Sequence, residues 1–455
     1  MAKQSTVRFY GGAGSVTGSN FMLDTGQKKI LIDCGLFQGE HATELGNWDP
    51  FAYNPAEISM LINTHVHIDH IGRIPKLVRD GYTGPIISTV ASKALAEALL
   101  LDALALNQHE AEKLGKEPLY EEKDITQAMK QWEGIGYHEP KDMGDDVTLE
   151  LCNSGHIMGS AMAKFTREGR SMIFSGDLGG GNSPLLPLAE HPQGAEYLLI
   201  ESVYGDKKRA DDSNRRELLG NIIKETVERG GTLLIPAFST ERTQDLLYEI
   251  RGLMMEKKIP SVPVYIDSPL AEKITAGYLA HPDYFNADIQ AKIAAGEHIF
   301  AFPELKFVEN ANESKALNDK PGPKVLIAGS GMSNGGRVIG HEEILLQDEN
   351  STVLIVGYQA AGSLGRRLVE GATKVHMRGG LVSVRAKIET MYGYSAHMDG
   401  EQLVEFVQAV GGSLKEVFVA MGEPASAGFL AQRIRDYLGL KATAPEVGDS
   451  VVIDL

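Results

Sequence analysis

The segment His65-Val66-His67-Ile68-Asp69-His70 places three imidazoles and a carboxylate within six residues. Neutral imidazole and carboxylate suit zinc and other borderline divalent metals. A single tetrahedral ion rarely takes four ligands from so short a stretch, because the chain cannot wrap that tightly. Division between two neighbouring ions is the more natural geometry, with alternate side chains facing different metals. The apolar run just before it, Ile58-Ser59-Met60-Leu61-Ile62-Asn63, reads as a buried strand. The ligands then sit on the loop at the end of a rigid element.

Two ions need more ligands, and the chain offers them further on. His156 lies in Asn153-Ser154-Gly155-His156-Ile157-Met158-Gly159-Ser160-Ala161, among small residues that allow a tight turn. Asp177 follows the strand-like run Ser171–Ser175 and precedes Leu178 and a glycine run. His397 sits in Tyr394-Ser395-Ala396-His397-Met398-Asp399. Each alone would more often be a turn or core residue; their occurrence together with the first cluster sets them apart.

In order and context these segments resemble the metallo-β-lactamase superfamily, and within it the β-CASP branch of nucleic-acid-cleaving enzymes. Ile30-Leu31-Ile32-Asp33-Cys34-Gly35 resembles the first motif, Leu198–Gly205 with Glu201 the acidic motif, and Tyr394–His397 the last histidine motif. The likeness runs from about Arg8 to about Tyr437. It implies an α/β fold, a metallo-β-lactamase αββα sandwich carrying an inserted parallel-sheet α/β domain. It further implies two Zn2+ per chain, although Mn2+ or Fe2+ also suit such ligands. One zinc would take His65, His67 and His156, the other Asp69, His70 and His397, with Asp177 bridging. Asp33 would hold a ligand imidazole by its free N–H, and Glu201 would pair with Arg367 or orient water. The residues tied to the reaction itself are Asp69, Asp33, Glu201, Arg367 and His397. The implied activity is a zinc-dependent ribonuclease, endonucleolytic or 5′-to-3′ exonucleolytic, in which hydroxide held by the metal pair attacks the phosphodiester.

One segment departs from the pattern. In Gly357-Tyr358-Gln359-Ala360-Ala361-Gly362-Ser363-Leu364-Gly365-Arg366-Arg367, residue 367 is where eukaryotic branch members carry a histidine that is the proposed proton donor. A guanidinium neutralises charge but is a poor general acid. Similar segments look typical of prokaryotic members, so the change marks a sub-branch. Arg366 and Arg367 begin a basic stretch with Lys374, Arg378, Arg385 and Lys387, placed to contact substrate together with Ser363. Gly329-Ser330-Gly331-Met332-Ser333-Asn334-Gly335-Gly336-Arg337 follows a strand-like run and opens a helix, where Ser330 and Ser333 could meet a phosphate.

Composition bounds the alternatives. A chain of 455 residues exceeds the ~250–300 at which one core stops growing. A net charge of −17 argues against a broad, sequence-independent grip on long nucleic acid. No apolar run reaches the ~18 residues of a membrane span, and Met1–Thr6 lacks the apolar core of a signal peptide. Cys34 and Cys152 fall in apolar runs and read as reduced, buried thiols. A cytoplasmic location follows most simply. The other histidines (His41, His109, His138, His191, His281, His298, His341 and His376) read as structural or surface residues, His376 being the likeliest exception.

The expected organisation is a first metallo-β-lactamase segment at 1–205, an inserted β-CASP domain at 206–385 and a returning segment at 386–455. Helices are expected at Ser92–Lys113, Asp124–Trp132, Arg242–Met255 and Gly400–Val410. RNA is the implied partner, a homodimer stays open, and no membrane partner is expected. Two other readings remain: a hydrolase of a small ester, thioester or lactam, disfavoured by the large insert, and a non-catalytic RNA-processing scaffold, disfavoured by the complete ligand set.

Overall fold

The computed structural model describes residues 3–39, 46–208, 214–357, 359 and 362–455. His41, Tyr358, Ala360 and Ala361 lie outside the described residues. The chain divides into two compact units, one formed by 1–181, 187–208 and 396–455, the other by 182–186 and 209–395.

The first unit is built on two seven-stranded sheets. In one, the strands run in the order Ser450–Ile453, Ser5–Gly11, Asn20–Asp24, Lys29–Ile32, Met60–Ile62, Ile86–Thr89 and Trp132–Ile135. In the other they run Lys441–Thr443, Glu416–Val419, Tyr197–Ile200, Arg170–Phe174, Ala161–Arg167, Val147–Asn153 and Lys141–Gly144. Phe9, Phe21, Ile32 and Ile62 from the first sheet pack with Leu149, Phe165, Phe174, Leu199 and Phe418 from the second, forming the central core.

The second sheet is buried on its other face as well. Alternate residues of a strand point to opposite faces, so Tyr197 and Leu199 enter the central core while Leu198 and Ile200 enter another. That outer core is closed by Leu403, Phe406 and Val407 of the helix Gly400–Val410 and by Leu430 and Ile434 of the helix Pro424–Leu438. Burial on both faces explains why Tyr197–Ile200 reads as a continuous apolar run. The helix Val90–Leu114 contacts the strands Ile86–Thr89 and Trp132–Ile135, completing an αββα sandwich. It is capped by Thr89, whose side chain accepts from the Ser92 N–H, and ended by Gly115 at φ 63°.

The second unit holds a six-stranded sheet in the order Leu305–Phe307, Val264–Asp267, Lys324–Ala328, Thr232–Pro236, Thr352–Ile355 and Lys387–Thr390. Every neighbouring pair in it is parallel, and helices such as Arg242–Met255 connect the strands. Lys387–Thr390 pairs with Thr352–Ile355 within this unit, which runs to Ser395. That edge strand has Ile388 as its one apolar residue, which hides it from a search for apolar runs. Other bounds move by a few residues: the helix expected at Asp124–Trp132 spans Glu122–Gln131, because Trp132 starts a strand. The helix expected to open within Gly329–Arg337 begins at Val338.

Candidate metal centre

The ligand loop hangs from the end of the strand Met60–Ile62. Asn63 continues its pairing by donating to the Ile87 carbonyl at 2.8 Å, and the Thr64 carbonyl accepts from the Ala161 N–H at 2.8 Å. A one-turn helix, Ile68–Ile71, then opens with His67 as its N-cap. The loop packs so closely that a Cβ on Gly35 would lie 1.5 Å from the Asp69 carbonyl oxygen, so only glycine fits there. Gly179 plays the same part for the second loop, where a Cβ would lie 1.8 Å from the Gly155 carbonyl oxygen next to His156. The His156 N–H is held by the Ser160 hydroxyl at 3.0 Å.

His397 arrives from the far end of this unit's sequence. Gly180 donates to the Ala396 carbonyl at 2.6 Å and Met398 to the Leu178 carbonyl at 2.9 Å, which sets His397 beside Asp177. Asp399, two residues on, caps the helix Gly400–Val410 through a capping box with Gln402. The helix start thereby fixes where His397 stands.

Nε2 of His65 lies 3.1 Å from Nδ1 of His67, which lies 3.2 Å from Nε2 of His156. Asp177 Oδ2 is 3.5 Å from the His65 nitrogen and 3.4 Å from that of His156. These four atoms all lie within 4.8 Å of one another. Bonds of ~2.0–2.1 Å to a four-coordinate ion give ligand–ligand edges of about 3.3 Å, so the cage has the size of a zinc site. Burial pushes the imidazoles of His67 and His156 well below their ordinary pKa, and that of His65 below it, against the pull of Asp177. Neutral rings with free lone pairs are what a cation needs.

The other oxygen of Asp177, Oδ1, faces Nε2 of His70 at 3.4 Å. That nitrogen is buried and has no hydrogen-bond partner, while Nδ1 of the same ring lies 2.7 Å from Asp33 Oδ2. Burial opposes a charge on His70 but is overridden by Asp177 and Asp33, which hold it well above the usual histidine range. Burial likewise opposes the Asp177 carboxylate, yet His70 and His65 hold it well below the usual carboxylate range. One carboxylate thus faces two groups of ligands, the arrangement a bridging ligand requires. Asp69 is half-buried beside His70, and burial raises its carboxyl. His397 lies with Asp177 and Glu201 in a second set of potential ligands within 4.8 Å.

Two acidic residues support ligands from behind. Asp33, at φ 57°, accepts from the Thr64 N–H at 2.8 Å, the Thr64 hydroxyl at 2.8 Å and the Asn63 amide at 3.1 Å, as well as facing His70. Glu201 is fully buried; its Oε1 takes the Leu178 N–H at 2.7 Å and lies 3.1 Å from Nδ1 of His397, and Oε2 takes the Val203 N–H. Both oxygens are engaged, and Glu201 stands behind His397. Thr64, Asn63 and Ser160 carry no metal-site signal of their own in the sequence, although Asn63 and Thr64 adjoin the histidine motif.

In the second unit, Ser330 is half-buried and its hydroxyl accepts from the Asn334 N–H at 3.3 Å. Ser333 is buried and donates to Glu342, and the Ser363 hydroxyl accepts from the Arg366 N–H at 3.1 Å as a helix cap. Both side chains are buried and bonded within the protein. Arg366 pairs with Glu370 at 2.6 Å, whereas Arg367 is exposed on the short helix Leu364–Val369. Of the basic stretch, Lys387 pairs with Glu225 and Glu389.

The sandwich, its inserted parallel sheet and the His/Asp cage define a metallo-hydrolase. Family models agree: the Metallo-beta-lactamase superfamily matches residues 14–225, the Beta-Casp domain 243–368, and the Zn-dependent metallo-hydrolase RNA specificity domain 381–445. A ribonuclease of Thermus thermophilus is 37% identical over 400 residues, covering 88% of this chain and 90% of that protein. An RNase J-like protein of Methanocaldococcus jannaschii is 30% identical over 89% of each chain. The transcription termination factor FttA of Methanosarcina mazei is 31% identical over 95% of this chain and 69% of its own. A solved structure of a protein of unknown function from Enterococcus faecalis shares the fold, with a TM-score of 0.54 at 13% identity over 99% of this chain and 100% of that one. The chain belongs to the β-CASP branch of the metallo-β-lactamase superfamily. Among the described residues no helix is long and apolar enough to cross a membrane.

Proposed function

We propose that this protein is a zinc-dependent ribonuclease that hydrolyses RNA phosphodiester bonds. The observation that carries the reading is Asp177, whose two oxygens face His65 and His156 on one side and His70 on the other. The match of residues 381–445 to an RNA specificity domain and the likeness to a ribonuclease support RNA as substrate.

A pair of zinc ions held by His65, His67, Asp69, His70, His156, Asp177 and His397 would supply Lewis acidity to water and to the phosphodiester. With a cation bound, Asp33 would keep the Nδ1 proton of His70 in place and leave the Nε2 lone pair to the metal. Glu201 does the same for His397. Arg367 offers a permanent cation for the phosphate charge in the position where eukaryotic branch members carry histidine, and the half-buried Ser330 offers a hydroxyl in its glycine-rich loop. A cytoplasmic location accords with RNA as substrate.

The test is a panel of metal-replete reactions with RNA labelled at either end, DNA of the same sequence, and a small thioester and lactam. Cleavage of RNA to products bearing 5′-phosphate supports the reading. Hydrolysis of a small ester or lactam with RNA left intact overturns it.

A further inference from the structure

A second group of metal-ligating side chains lies outside the proposed catalytic set. Glu150 and Cys152 are two apart on the strand Val147–Asn153 and so share a face. His138, at φ 58°, donates its backbone N–H to the Leu151 carbonyl at 2.9 Å, which hangs its ring over that face. Glu190 is tied to the same strand by its own N–H, which donates to the Asn153 carbonyl at 3.0 Å. Two chain segments are thus anchored by backbone bonds to the strand that carries Glu150 and Cys152, one bringing His138 and the other Glu190.

Nδ1 of His138 lies 3.0 Å from Glu150 Oε1, and Cys152 Sγ lies 3.8 Å from the same oxygen. The three ligand atoms all fall within 4.8 Å of one another. Tetrahedral edges about a zinc with bonds of ~2.0 Å to N and O and ~2.3 Å to S are about 3.3–3.5 Å, so small side-chain movements close the set. The far ring nitrogen, Nε2, lies 3.1 Å from Glu190 Oε1. A carboxylate on the second nitrogen of a ligating histidine is the usual outer support of a zinc site, fixing the tautomer and raising ligand basicity. Cys152 is buried, whereas His138, Glu150 and Glu190 reach solvent, which leaves an entry path and a position for water.

We propose that His138, Glu150 and Cys152 form a further divalent-cation site fitted to Zn2+, with Glu190 holding the far side of the imidazole. Burial, together with Glu150 and Glu190, pushes the free thiol up to about 12. Glu150 and Glu190 also raise the His138 imidazole. Binding therefore replaces protons: the thiol and the imidazolium each lose one as the cation enters, and affinity rises with pH. Without a cation, the same side chains can form an imidazolium held between two carboxylates, and the experiment separates these states.

The probe is Co2+ added to the full chain. The chain has only two cysteines, and none belongs to the proposed catalytic set, so a thiolate-to-cobalt charge-transfer band reports a sulfur ligand directly. The wild type and Cys34→Ser should show the band, and Cys152→Ser should lose it together with one bound ion per chain. His138→Gln, which leaves the buried thiol in place, should weaken this binding at least tenfold while RNA cleavage proceeds at the wild-type rate. Absence of the band at saturating Co2+, its survival in Cys152→Ser, or its loss in Cys34→Ser overturns the proposal. The cobalt band and the count of bound ions stand whether or not the ribonuclease reading holds.

Discussion

Asp33 Oδ2 lies 2.7 Å from Nδ1 of His70, and that contact leaves Nε2 of His70 buried, without a hydrogen-bond partner and 3.4 Å from Asp177. A buried ring nitrogen without a partner is costly in a native protein and asks for an explanation. A cation between His70 and Asp177 supplies one. Asp33→Asn should lower divalent-metal affinity about 10- to 100-fold, the usual effect of losing an outer partner of a ligating histidine. Competition against a metal chelator measures it; affinity unchanged in the variant would show that Asp33 is only a fold-stabilising hub for Thr64 and Asn63.

Metal content tests the bridging role of Asp177. In the Cys152→Ser background, which lacks the further site proposed above, elemental analysis should return two divalent ions per chain. His156→Ala in that background should lose the ion of the His65–His67–His156 group and retain the other, because His70 faces the other oxygen of Asp177. A single ion in the parent, or two in the His156→Ala variant, contradicts the assignment.

Arg367 is proposed to act as a fixed charge. Arg367→Ala should then reduce cleavage by roughly 10²–10³-fold, the scale for losing one electrostatic stabiliser. Arg367→His should regain part of that rate with a new limb in the pH profile near pH 6–7, since imidazole titrates there and guanidinium does not. An Arg367→Ala enzyme as fast as wild type would make the residue a surface cation.

Glu342 gives a prediction about stability. It is fully buried beside Ser333, and burial raises its carboxyl to about 7. The folded protein therefore keeps this proton over a pH range in which the unfolded chain, with its ordinary value of 4.5, has lost it. Where the native state binds more protons, stability falls as pH rises; the loss begins above the unfolded value and is complete above the folded one. Across that interval it amounts to about 3 kcal/mol. Glu342→Gln keeps an acceptor for Ser333 and removes the charge, so it should raise the unfolding midpoint at pH 8 and leave it nearly unchanged near pH 4.5. Equal effects at both pH values would refute the titration argument.

Much of this was legible in the sequence for physical reasons. The ligand loop is local, so His65, His67, Asp69 and His70 declare themselves by type and spacing. Asp177 and His397 needed a family resemblance, because the backbone bond that joins Gly180 to Ala396 spans nearly half of the chain. Arg242–Met255 and Gly400–Val410 were readable from helical spacing and match their observed bounds. Lys387–Thr390 was not, since an edge strand with exposed charges has no apolar run. The inward turns of Ser333 and Ser363 could not be read either: a small hydroxyl in a glycine-rich loop looks the same whether it faces a phosphate, Glu342 or a helix N-terminus.

The central claim is that this His/Asp cage carries divalent ions that cleave RNA. It is tested most directly by stripping the purified protein of metal, restoring Zn2+ in steps, and following cleavage of end-labelled RNA in the wild type and in His70→Ala. Activity should vanish on stripping and return in the wild type as zinc is restored. His70→Ala should stay inactive at every zinc level while remaining folded. RNA cleavage that persists without metal, or that His70→Ala retains, would contradict the claim.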